Sequence, residues 1–131
     1  LRRRAGRTTQ SPSVETVLGI EDVRDLRDVP EDVRVEEDVM QYVSTVSRTT
    51  REDPRVEVGV SPRGTQRLFE AARSRAAVRG REYVTPEDVK RMAEPALAHR
   101  LVLTPDAAVQ DVSKRDVVGD VLGNVAVPTV D

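Results

Sequence analysis

Residues 59–64 read G-V-S-P-R-G and hold the most specific chemistry of this sequence. Ser61 is a typical N-cap residue and Pro62 suits the first position of a helix, so a helix is predicted to begin here. Arg63 then falls in the first turn. A helix N-terminus carries about half a positive charge, which disfavours a basic side chain unless an anion shares the site. Arg63 is therefore a candidate phosphate ligand; the alternative is an ordinary solvated arginine.

Other polar positions have weaker claims. Arg51 ends a predicted helix, where a cation also suits the helix dipole, so a structural role competes with a role in binding. His99 is the only histidine, which excludes a metal site built from several histidines, and we expect it to pack or cap a helix end. Glu87 and Asp88 follow Thr85 in the first turn of another predicted helix, where acidic side chains act as caps.

Hydrophobic spacing predicts four or five short helices, and so an all-α fold, a small helical bundle. Residues 33–35 are interpreted as an extended linker rather than a sheet strand, and residues 56–60 as a short extended piece whose alternation could be mistaken for a strand. Residues 101–103 are interpreted as a short apolar exit, and Thr104-Pro105 as a turn. Pro95 is expected to kink or split its helix. The apolar positions are Ile20, Val23 and Leu26; Val39, Val43, Val46 and Thr50; Leu68, Phe69, Ala72 and Ala76; Val89, Met92, Ala93, Ala96 and Leu97; and Val117, Val121 and Leu122.

Composition limits the classes of function. The chain of 131 residues has one Phe, two Tyr and no Trp, so Val, Leu and Ala must build its core. The absence of cysteine excludes disulfides and a thiol nucleophile. No signal peptide or membrane-spanning run is evident, and we expect a cytoplasmic protein that binds no membrane.

The net charge of −2 offers no field that would steer nucleic acid. The arginines of residues 1–7 leave a nucleic-acid-binding arm as an alternative, although no aromatic residue accompanies them. The chain also lacks a G-x-x-x-x-G-K-[ST] phosphate loop and an apolar strand that ends in paired acids for magnesium. By itself it is not expected to hydrolyse ATP.

The run from Val39 to Arg100 resembles the lid domain of MoxR-type AAA+ ATPases. That family reads G-A-S-P-R-A at the head of its sensor-2 helix, then A-x-A, G-R-D-Y-V-T-P-D-D-V and L-x-H-R. The corresponding residues are 59–64, 71–77, 80–89 and 97–100, and Thr50-Arg51 fits an A-T-R element. Val60 and Gly64 replace alanines, and Glu82 and Glu87 replace aspartates. Gly64 is expected to loosen the turn that holds Arg63.

The resemblance implies that Arg63 is a sensor-2 arginine, which contacts the γ-phosphate of ATP in its own subunit or a neighbouring one. It gives Arg51 a second, weaker claim to the nucleotide. The parent protein would use ATP and magnesium, form a homo-oligomeric ring and act as a chaperone-like remodelling ATPase. A von Willebrand factor A-domain protein would be a partner.

We expect residues 1–19 to be a truncated helix end and linker from a missing ATPase core, and residues 20–131 to be the lid. The chain begins at Leu1 without methionine, which favours a fragment of a longer protein. The alternatives are a stand-alone helical interaction module, the similar lid of a magnesium-chelatase ATPase subunit, or a small helical nucleic-acid binder.

Overall fold

A computed structural model describes residues 14–129 of the chain. Six α-helices and two short strands follow one another in this range, and the predicted helical bundle is confirmed. The helices are α1 (Ile20–Asp28), α2 (Glu37–Glu52), α3 (Pro62–Val78), α4 (Pro86–Leu97), α5 (Pro105–Val109) and α6 (Lys114–Asn124). The strands are β1 (Val56–Val58) and β2 (Val102–Leu103), and 3-10 turns span Val29–Asp32 and Ala98–Arg100.

Helix α3 lies against α4 in the most extensive contact between two helices of the described residues. Leu68, Ala72 and Ala76 of α3 are buried, and the two alanines let the helices approach closely. Val89 and Leu97 are fully buried on the facing side of α4. The predicted alanine-rich contact is therefore confirmed and forms the centre of the core.

Two segments that were not predicted to be strands form a small sheet. Strand β1 pairs antiparallel with β2, and Val56 lies opposite Leu103. The expectation of no sheet was wrong here, because each run is too short to be recognised without its distant partner. At residues 33–35 the extended linker is confirmed. A single parallel bridge joins Arg34 to Tyr83.

Two prolines also behave differently from expectation. Pro95 does not split α4, which is continuous to Leu97. Pro95 is exposed, and only two residues of α4 follow it. Thr104-Pro105 opens the five-residue helix α5 instead of a simple turn, since the hydroxyl oxygen of Thr104 accepts a hydrogen bond from the Ala107 amide at 3.3 Å.

Helix α1 confirms the predicted short helix but adds nothing to the core, because none of its residues is buried. Its apolar residues Ile20, Val23 and Leu26 are 67%, 41% and 57% exposed. The 3-10 turn after it is held more firmly, since Arg73 of α3 donates hydrogen bonds to the carbonyls of Glu31 and Val33.

None of the helices in residues 14–129 is both long and apolar enough to cross a membrane. The basic residues 1–7, and most of the proposed linker at residues 1–19, lie outside the described residues.

Candidate functional site

The predicted cap at the start of α3 is confirmed. The hydroxyl oxygen of Ser61 accepts a hydrogen bond from the Gly64 amide at 3.2 Å, and Pro62 occupies the first helical position. The Thr65 amide donates to the Ser61 carbonyl at 3.0 Å and closes the first helical turn. The sequence therefore sets Arg63 in this turn through cap chemistry that is entirely local.

The Arg63 side chain is exposed. Within residues 14–129 it makes neither a hydrogen bond nor an ion pair. Arg67, one turn further along α3, is different, because its guanidinium donates to Glu70 at 2.6 Å. The first turn of α3 contains no acidic residue that could neutralise Arg63. A full positive charge is thus left available at the positive end of a 17-residue helix.

The residue before this turn is fixed by the end of α2. Val60 is fully buried. Its amide donates to the hydroxyl oxygen of Thr50 at 3.0 Å, and its carbonyl accepts from Nη1 of Arg51 at 2.9 Å. Both polar backbone groups of Val60 are therefore satisfied by adjacent residues of one helix.

Gly59 allows the chain to pass this close to α2. A Cβ atom at residue 59 would lie 2.5 Å from Cγ and 2.7 Å from Cα of Arg51. Such distances do not occur between real side chains, so any larger residue would push the segment away from α2. The two motifs singled out in the sequence, Thr50-Arg51 and residues 59–64, are one contact in the fold.

The structure thus brings Arg51 beside the turn of Arg63 but binds its guanidinium to a backbone carbonyl. Arg51 and Pro62 also line one groove of about 460 Å³ between α2 and α3. The remaining wall is formed by the apolar side chains of Met40, Val43 and Phe69 and by the polar residues Ser44, Thr65 and Gln66. A phosphate role for Arg51 stays a hypothesis, and the observed contact is structural.

A third arginine reaches the same turn from the end of the bundle. The Cδ atom of Arg100 would lie 3.2 Å from a Cβ atom at Gly64, and its Nε donates to the Ala96 carbonyl at 2.9 Å. Arg100 belongs to the L-x-H-R element, which was the signal for it in the sequence. His99 beside it is exposed and lies in the 3-10 turn that directly follows α4, and its expected role of packing or capping a helix end stays a prediction.

Asp88 does more than the predicted cap. Its carboxylate accepts a hydrogen bond from the backbone amide of Thr85 at 2.9 Å, which confirms the capping contact. It also accepts two hydrogen bonds from Arg81 at 2.6 and 2.7 Å, and Nε of Arg75 lies 3.3 Å away.

Burial of Asp88 would by itself raise the pKa of its carboxyl, but the hydrogen bonds from Arg81 and Thr85 outweigh burial and lower the pKa below 3.8. The sequence did not reveal this cluster, because Arg75 approaches Asp88 only when α3 folds against α4. Arg81 lies in the loop that joins these two helices.

Among the residues present, Arg63 fits the phosphate part of a bound nucleotide. Arg63 can meet a phosphate oxygen without breaking an existing contact of the described residues. Magnesium does not fit in the same way. No group of three acidic or histidine residues in the range 14–129 is arranged to hold a metal ion. Metal ligands for a nucleotide complex would have to come from elsewhere in a larger protein.

Comparison with known proteins gives a family and several relatives. A family model described as "AAA lid domain" matches residues 48–121, which is more than half of the chain. Chaperone MoxR1 of Mycobacterium tuberculosis is 36% identical over 91% of this chain and 34% of its own length. Protein YeaC of Bacillus subtilis is 33% identical over 88% of this chain and 36% of its own length.

A solved structure agrees with these relatives. The crystal structure of a candidate ATPase from Cytophaga hutchinsonii matches with a TM-score of 0.88 and 25% identity. The match covers 98% of this chain and 42% of that one. This chain therefore spans only about a third of the length of the curated relatives that it matches.

Proposed function

This chain belongs to the AAA lid domain family, as a lid of the MoxR type, and we propose that Arg63 is the residue through which it senses a bound nucleotide. In this proposal the guanidinium of Arg63 contacts the γ-phosphate of ATP. The contact links the presence of that phosphate to the position of the whole lid, because Arg63 lies on α3, the helix that packs most extensively in the bundle. Loss of the phosphate would release the link.

One observation carries the proposal. Arg63 is exposed, and no described residue engages its side chain, although it lies in the first turn of α3. A partner of opposite charge is the natural complement of a guanidinium at the positive end of a helix. Phosphate oxygens suit a guanidinium because its fork of donors can hold two of them at once.

The rest of the parent protein enters the proposal through resemblance. An ATPase core would bind ATP and magnesium, and the subunits would form a homo-oligomeric ring with chaperone-like remodelling activity. The name of the Mycobacterium tuberculosis relative supports the last point. The proposal of a von Willebrand factor A-domain partner has no support beyond the resemblance. The resemblance also leaves open whether Arg63 contacts the γ-phosphate in its own subunit or in a neighbouring one. The cysteine-free composition suits the proposed cytoplasmic location.

The test uses the full-length protein that carries this lid. Arg63→Ala should lower the kcat for ATP hydrolysis about 100-fold, because it removes a preorganised charge from the developing phosphate charge. Arg63→Lys should restore little, since a point charge cannot replace a fork of donors. Arg67→Ala is the matched control, because Arg67 lies on the same helix and is also exposed. Turnover by the control should be unchanged.

The same variants should be melted as isolated chains. Arg63→Ala should leave the melting temperature unchanged or slightly raised, because it removes a positive charge from the positive end of α3. Full ATPase activity of Arg63→Ala would end the assignment. A destabilised lid with normal turnover per folded protein would make Arg63 a structural residue instead.

A further inference from the structure

We infer that Arg51 is a positioning residue for Arg63, and that it acts through the backbone of Val60 rather than by touching the nucleotide. This inference rests on the proposed function of Arg63. The Nη1 atom of Arg51 donates to the Val60 carbonyl at 2.9 Å, and Val60 lies three residues before Arg63. The guanidinium is therefore already engaged on the scaffold that carries the phosphate-binding side chain.

The contact is one of two that hold Val60. The Thr50 hydroxyl accepts a hydrogen bond from the Val60 amide at 3.0 Å, and that hydroxyl donates to the Ser47 carbonyl within α2 at 2.6 Å. Thr50 and Val60 are both fully buried, so water does not compete for these bonds. Val60 is thus held on its amide side by Thr50 and on its carbonyl side by Arg51.

The end of α2 and residues 59–61 lie so close together that neither can move far without the other. Gly59 packs directly on the backbone of Arg51, and Ser61 caps α3 immediately after Val60. The last turn of α2 and the first turn of α3 must therefore move together. Arg51 lies at the centre of this contact, and its loss would let the turn of Arg63 shift while the helices remain folded. Displacement of a catalytic contact by about 1 Å can cost about 100-fold in rate.

The test is a double-mutant cycle in the full-length ATPase. Arg51→Met keeps the apolar stem and removes the donor, and it should lower kcat about tenfold or more with little change in KM. In the Arg63→Ala background the same change should have no further effect, because the residue that Arg51 positions is gone. Arg48→Met, on an exposed arginine of α2, is the control and should leave kcat unchanged.

Arg51→Lys distinguishes a positioning role of Arg51 from a role as a second phosphate ligand. This variant remains informative if Arg51→Met does not fold. A lysine can still donate one hydrogen bond to the Val60 carbonyl, so Arg51→Lys should retain most of the activity, whereas Arg63→Lys should not. Equal losses for Arg51→Lys and Arg63→Lys would overturn the inference. So would additive losses from Arg51→Met and Arg63→Ala. Full activity of Arg63→Ala would instead refute the proposed function itself.

Discussion

The Cγ1 methyl group of Val60 occupies the space that a side chain at residue 64 would need: a Cβ atom on Gly64 would lie 2.7 Å from it. Val60 is fully buried, and Gly64 is buried in the first turn of α3. The MoxR-type pattern has alanine at both positions. Here one residue is larger and the other smaller, so the two departures from the pattern compensate each other. The turn around Gly64 is packed, which argues against the expected loosening.

Gly64→Ala should destabilise the chain although alanine is the better helix former. The propensity gain is about 1 kcal/mol, whereas forcing a methyl group against Val60 costs about 1–3 kcal/mol. We expect a net loss of about 1 kcal/mol in the free energy of unfolding, measured by urea denaturation. The stem of Arg100 adds to the crowding, because its Cδ atom would be only 3.2 Å from the new Cβ.

Replacing Val60 by alanine tests whether this side chain causes the destabilisation expected for Gly64→Ala. Val60→Ala together with Gly64→Ala should recover most of the stability, with a coupling energy of about 1 kcal/mol or more. If Gly64→Ala raises stability, or if its effect is the same in the Val60→Ala background, the two residues do not compensate.

Asp88→Asn should be among the more damaging single changes in this chain. Asp88 is 1% exposed, and its carboxylate forms ion pairs with Arg75 of α3 and with Arg81 of the loop before α4. Removal of one partner from such a cluster costs about 3 kcal/mol, because the arginines keep their charge. Asp116→Asn is the control, since Asp116 makes the equivalent cap with Ser113 at an exposed position. A loss of similar size in the control would show that capping, not the buried cluster, is what matters.

Stability should fall in acid. Besides Asp88, the hydrogen bond from Arg55 lowers the pKa of Asp53 below 3.8, and it outweighs the opposing effect of burial. A lowered native pKa means that the unfolded chain binds more protons in acid, so this stability is present above pH 3.8 and is lost as pH falls through the native values. Urea denaturation between about pH 6 and pH 2 should show the loss. If Asp88→Asn loses less unfolding free energy between these pH values than the unchanged chain, part of the acid sensitivity belongs to Asp88. If the dependence of the unfolding free energy on pH is the same in both, Asp88 does not contribute to it.

Helix α1 should be the least protected helix of the isolated chain in hydrogen exchange. It has nine residues and none is buried, and a helix of that length is marginal without packing. Amides of Leu68 and Ala72 in α3 should exchange at least about 100-fold more slowly, because they open only with the core. Equal protection of α1 and α3 would show that α1 is held by contacts beyond those of the described residues.

Much of this fold follows from short stretches of sequence. The caps at Ser61, Thr85 and Ser113 act within four residues, and the hydrophobic spacing of α2 and α3 repeats within each helix. For that reason every described helix except the five-residue α5 was predictable, and so was the place of Arg63 in a first turn. The two strands were not, because β1 pairs with residues more than forty positions away.

What only the tertiary structure decided is which residues act together. The sequence marked Thr50-Arg51, Val60 and Gly64 as separate features, and it favoured a dipole role for Arg51. In the fold Arg51 binds the Val60 carbonyl, Val60 fills the space beside Gly64, and Asp88 joins Arg75 and Arg81. The physical reason is distance along the chain. A cap or a helical face is set by neighbours, whereas these contacts exist only after α2, α3 and α4 have packed, when burial removes the water that would otherwise satisfy the same polar groups.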